Sequence, residues 1–164
     1  MVSAGLEPYN AMNFTGQHRC ITNNNININH IGLIVSTNGK YLNLDNAINP
    51  TINDSLPICN LTNIENDKKV FGVISNIEEN ERNYSAGNFV TPITKTNINE
   101  NRFYINSVGE GGIWVCNKNG SLENGDYISS SNIIGYGEKQ IIHEEFLTRF
   151  TVAKITCDCS FNLN

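Results

Sequence analysis

Few residues in this chain have both the type and the spacing to do chemistry. His18-Arg19-Cys20 sets an imidazole and a thiol two residues apart. On an extended strand the two would share a face, close enough for a Cys–His pair in which the ring takes the thiol proton. The plainer reading is an arm residue facing solvent beside a small buried hydrophobe, because nothing local supplies a third, orienting group. Ser3 is a hydroxyl close to the first residue and has no base beside it in sequence. His18, Cys20 and Ser3 are therefore the candidate catalytic residues.

Cys157-Asp158-Cys159 puts two more thiols on one strand face, where with His18 and Cys20 they could surround zinc. Structural zinc normally uses cysteines separated by two to four residues, so no metal is expected. Gly109-Glu110-Gly111-Gly112 is glycine-rich but lacks both a following Lys-Ser/Thr and a helix, and it reads as a corner before Trp114 rather than a phosphate cradle. Asp45, Asp54, Asp126 and Asp158 show no diagnostic pairing. Gly125-Asp126 reads as a turn closed through the carboxylate. No cofactor is implied.

The elements that must position these groups read as strands. Ile31–Ser36, a turn at Asn38-Gly39 and Tyr41–Leu44 form an expected hairpin, since both central residues of such a turn must accept positive φ. Leu56–Leu61 and Val70–Ser75 follow around a turn at Asn66-Asp67. The polar stretch 77–88 reads as a loop, and Phe89–Thr94 and Arg102–Asn106 as strands. A second hairpin is expected from Gly112–Asn117, Asn119-Gly120 and Tyr127–Ser130. Ile141–Arg149 could form one short helix, and Thr151–Cys157 would close the sheet. Residues 23–29, NNNININ, fit either a half-buried strand or low complexity.

Short strands separated by turns, with at most one short helix, predict an all-β barrel or sandwich of antiparallel strands. The division expected is an irregular N-terminal arm over residues 1–20 and a single β-rich domain over 21–164. A chain of 164 residues is long enough for one genuine core.

Charged residues make up only 16% and the net charge is −5, without a basic run, so a nucleic-acid partner is disfavoured. No apolar run reaches membrane-span length and no signal-peptide core is visible, so no membrane partner is expected. Five cysteines are an odd set without framework spacing, read as free thiols of a protein folded in reducing cytosol. Asn supplies roughly one residue in six, against a few per cent in ordinary proteins, so the sequons at Asn13, Asn53, Asn60, Asn83 and Asn119 carry little meaning.

Several motifs in order along the chain carry a resemblance. They are Phe14-Thr15-Gly16-Gln17-His18-Arg19, Gly32-Leu33-Ile34-Val35-Ser36-Thr37-Asn38-Gly39-Lys40-Tyr41 and Asn53-Asp54-Ser55-Leu56-Pro57. Lys69-Val70-Phe71-Gly72-Val73-Ile74-Ser75, Asn106-Ser107-Val108-Gly109-Glu110-Gly111-Gly112-Ile113-Trp114-Val115, Glu123-Asn124-Gly125-Asp126-Tyr127-Ile128 and Val152-Ala153-Lys154-Ile155 continue it. Together they resemble the peptidase G2, or intramolecular-chaperone autoproteolytic cleavage, domains of viral tail-fibre and appendage proteins, in the versions carried by large DNA viruses or phage.

That resemblance implies a homotrimeric module at the end of a fibrous virion protein, made in host cytoplasm and carried on the virion. Such modules register three chains, and several cut themselves from an upstream fibre. Few residues precede the first matching motif, so either a longer parent chain or a stand-alone domain is expected. The leading expectation is a viral structural or assembly module with Trp114, Ile113 and the arm at subunit contacts. The alternatives are a self-cleaving domain using His18 with Cys20 or Ser3, and a virion attachment or glycan-binding module.

Overall fold

The computed structural model describes residues 2–4, 16–22, 24–43, 55–78, 81–86, 89–94, 101–141 and 150–161, and in these the chain is all-β. Twelve strands are formed: β1 (Val2–Ala4), β2 (Gly16–Thr22), β3 (Ile34–Asn43), β4 (Ser55–Leu61), β5 (Val70–Ile77), β6 (Glu81–Ala86), β7 (Phe89–Thr94), β8 (Asn101–Val108), β9 (Gly111–Ile113), β10 (Tyr127–Ser130), β11 (Gly137–Lys139) and β12 (Ala153–Lys154). Five of them close a barrel in the order β2-β4-β3-β5-β8. A three-stranded sheet β11-β10-β12, a β6-β7 hairpin and a β1-β9 pair make up the remaining ladders among the described residues.

The barrel closes through β2, which runs antiparallel to β8 and parallel to β4. Gly16–Thr22 is thus a barrel stave and not the end of an irregular arm. Its last three residues, Cys20, Ile21 and Thr22, are all buried, so the strand lacks the apolar–polar alternation that marks a stave wet on one face.

β3 shows how one strand serves two cores. Val35 points into the barrel with Cys20, Cys59, Ile74, Phe103 and Ile105. Its neighbour Ile34 points the other way and joins Ile113, Leu122, Ile128 and Ile155 between the barrel wall and the small sheet. Alternate side chains on a pleated strand face opposite sides, so consecutive branched residues seal both layers at once.

The hairpin expected over 31–44 is instead this single strand. Asn38-Gly39 lies where its register to β4 shifts between Thr37 and Tyr41, and Gly39 supplies a φ of +81°. A positive-φ Gly inside a ladder makes a bulge as readily as a turn, and β4 lies along both halves of β3. Asn25–Asn27 is irregular and Ile28–His30 forms one 3-10 turn, capped by the Asn27 side chain accepting from Asn29 N–H at 3.0 Å.

Two further expectations change. Glu81–Ala86, within a stretch expected as loop, pairs in full register with β7. The second expected hairpin does not form: β9 pairs with β1, while β10 pairs with β11 and β12. The turns expected there are present, with Gly120 and Gly125 at positive φ and the Asp126 carboxylate accepting from Glu123 N–H at 2.8 Å. Thr151–Cys157 contributes only the two residues of β12 to a ladder. Of the expected helix over Ile141–Arg149, residues 142–149 lie outside the described residues.

Candidate functional site

β2 carries His18 and Cys20 opposite Ile105 and Phe103 of β8. Cys20 has no exposed surface and sits in the barrel core with the equally buried Cys59. The Cys59 thiol against it, and then burial, push the Cys20 thiol far above the ordinary range. A thiol held protonated in this way is a poor nucleophile, since the thiolate is the reactive form.

His18 is exposed, and its ring stacks on Phe71 with centroids 5.4 Å apart and planes at 29°. Ser3 lies on β1 opposite Gly112 of β9. The three candidates thus occupy two different ladders, and the described contacts give His18 an aromatic partner rather than the Cys20 thiol. Cys157 is exposed, whereas Cys159 packs against the second core and exchanges backbone hydrogen bonds with Leu122. Among the described residues, no three of His, Cys, Asp and Glu converge as metal ligands would.

The two candidate interface residues belong to the chain's own packing. Ile113 is 1% exposed, in the second core. Trp114 is half-buried, its Nε1–H donates to the Ile31 carbonyl at 2.8 Å, and its ring lies 6.4 Å from that of Tyr136. Gly32, at a φ of +91°, passes so close to the indole that a Cβ there would come within 2.9 Å of it.

Sequence reasoning missed two polar clusters, because each joins residues far apart in the chain. In the first, the buried Asp67 carboxylate accepts from Ser36 Oγ at 2.7 Å, Lys69 N–H at 2.9 Å and Thr62 Oγ1 at 3.4 Å. Asp67 N–H donates to Ser130 Oγ at 2.8 Å, and that hydroxyl donates to the Ile64 carbonyl at 2.9 Å. The carboxylate is saturated with donors and pins the 62–69 turn to β3 and β10, which makes it structural.

The second cluster is Lys118 between two carboxylates, Glu65 at 2.5 Å and Glu138 at 3.4 Å. Glu138 is 1% exposed. Burial, reinforced by the Glu65 charge, raises its pKa, although Lys118 and Asn119 pull the other way. A carboxyl displaced like this can mark a proton-transfer site. Its neighbours here are a turn lysine and an exposed glutamate, and none of the three lines either of the two cavities described next.

An apolar cavity of about 100 Å³ opens between the β8–β9 corner and β12, lined by Ile31, Val73, Ile74, Val108, Ile113 and Val152. A second of about 300 Å³ lies beside the Asp126–Lys139 ion pair of 2.7 Å. Neither brings together His18, Cys20 and Ser3 among its described lining residues.

The remaining feature is on the surface. Gly135 N–H donates to the Thr62 carbonyl at 2.7 Å, and Asn66 N–H to the Ser130 carbonyl at 3.0 Å, which joins the 62–67 and 131–136 turns side by side. These turns display Ile64, Ile133 and Ile134, which are 47%, 47% and 59% exposed. Three branched aliphatics exposed on adjoining turns put apolar surface into water, the kind of surface that marks contact sites when it is contiguous. Comparison with protein-family models, curated proteins and solved structures finds no match to this chain.

Proposed function

We propose that this chain is a structural or assembly module of a virion fibre or appendage that works by self-association, as a homotrimer in the arrangement its motifs resemble. The observation that carries the reading is the exposure of Ile64, Ile133 and Ile134 on adjoining turns, the first of which the buried Asp67 network ties to β3 and β10. Aliphatic surface of this kind is costly to leave in water and favours burial against another chain. Support also comes from what became of the nominated nucleophile: Cys20 is sealed in the barrel and held as a thiol.

The proposed action is physical. Pairing distant β segments of separate chains is slow, because chain entropy is lost before contacts form. A module that folds on its own and then associates would hold several chains in register while the attached segments pair. The barrel suits that task, since closure leaves few open strand edges to aggregate through.

The test is light scattering coupled to size exclusion at low micromolar concentration, on the native chain and on Ile64→Lys and Ile133→Lys. A trimer that dissociates in both variants, with their thermal midpoints unchanged, is expected. A monomeric native chain, or a trimer indifferent to both changes, would sink the reading.

A further inference from the structure

We infer that β9 is a strand-acceptor edge and that, in the assembled protein, it is filled by residues Val2–Ala4 of a neighbouring copy. This rests on the self-association reading above and names the exchanged element.

β1 forms only a three-residue antiparallel ladder with β9, Val2 opposite Ile113, Ser3 opposite Gly112 and Ala4 opposite Gly111. Two short strands paired only with each other are marginally stable in water, so this ladder is exchangeable by construction. The acceptor edge suits an incoming strand. Gly111 and Gly112 present no side chain to it, and a Cβ built on Gly111 meets nothing closer than 3.7 Å. The third acceptor position, Ile113, is anchored in the second core and fixes the register. The apolar cavity lined by Val108, Ile113 and Val152 opens beside the same edge.

The length of chain between β1 and β2 then decides how far β1 can travel. Ala4 lies opposite Gly111, and Gly16, where β2 begins, lies opposite Val108. Three residue steps around the β8–β9 corner separate these partners, a span of at most about 10 Å. Residues 5–15 connect the two points, and eleven residues reach roughly 36 Å when extended. The tether is thus several times longer than the intrachain path requires, and it brings a neighbouring β9 within range once copies are held together. Exchange around a closed ring replaces each departing strand with an identical one, so every ladder hydrogen bond is kept.

The test uses two full-length chains, one carrying Ala4→Cys and the other Gly111→Cys. They are unfolded together, refolded and mildly oxidised, and the disulfides are mapped by peptide mass so that the five native cysteines are distinguished. Directly opposed antiparallel residues lie about 4.5–5.5 Å apart, within disulfide reach. A 4–111 disulfide between the two chains is the expected result. A doubly substituted chain is run beside them; an oligomer in which it forms the link only within itself overturns exchange while leaving the assembly reading intact. A monomer by light scattering overturns both, and absence of the link in every sample overturns the acceptor assignment. If Gly111→Cys fails to fold, Ser3→Cys with Gly112→Cys, the adjacent directly opposed pair, takes its place with the same outcomes.

Discussion

Trp114 Nε1 donates to the Ile31 carbonyl at 2.8 Å, tying the segment after β9 to the turn that enters β3. Backbone bonds reinforce the tie: Trp114 N–H donates to the Gly32 carbonyl and Gly32 N–H to the Ile74 carbonyl. The indole thus sits where barrel and small sheet meet. Replacing it with Ala removes a large ring and leaves the Ile31 carbonyl without this donor, a loss of about 3 kcal/mol. Trp114→Phe keeps most of the packing and loses the bond, costing nearer about 1 kcal/mol. Urea unfolding of both variants checks the order; equal stability of Phe and Trp would show that the hydrogen bond contributes nothing.

Asp67 should respond differently from a surface aspartate. Its carboxylate accepts from Ser36, Thr62 and Lys69, so Asp67→Ala strands buried hydroxyls and frees the turn carrying Ile64. A loss of about 1–3 kcal/mol is expected. Proteolysis within residues 62–69 should also become faster in the variant. Wild-type stability in Asp67→Ala would contradict the role given to this network.

Glu138 makes a pH-dependent contribution whose sign follows from its raised pKa. The folded state holds the proton more tightly than the unfolded chain does, so this group's contribution is fullest below the ordinary carboxylate value. It is lost as pH rises through the raised folded value. Glu138→Gln cannot titrate and should flatten the stability profile as pH rises above the ordinary carboxylate value. Denaturant midpoints across that range report it, and an unchanged slope would remove Glu138 as a source.

Asp126 works in the opposite sense. Burial raises its pKa, but the Glu123 backbone bond and the Lys139 ammonium more than offset that, and the net shift is downward. Its contribution is therefore present above the unfolded carboxylate value and lost as pH falls through the folded one. Asp126→Asn should lower stability near neutrality and lose less on acidification than the native chain. An acid unfolding curve parallel to the native one would contradict this.

Thiol labelling separates the cysteines by environment. Cys157 is exposed and should alkylate first in the folded protein, whereas Cys20 and Cys59, sealed in the barrel, should react only on unfolding. Labelling of Cys20 at the rate of Cys157 would reopen its case as a nucleophile.

Sequence by itself determined the all-β class, the strands Phe89–Thr94 and Tyr127–Ser130, and the turn glycines, because alternation and positive φ are properties of a few adjacent residues. Only the tertiary structure decided which strands pair. It made Asn38-Gly39 a bulge because β4 runs along both halves of β3, and it gave β9 the partner β1 although β10 is nearer in sequence. It also buried Cys20, whose neighbour His18 remains outside on the same strand. Asp67, Ser36, Thr62 and Ser130, like Lys118 and Glu138, became clusters only when separate strands and turns met. Such meetings depend on contacts between residues distant in the chain, which periodicity and turn chemistry do not encode.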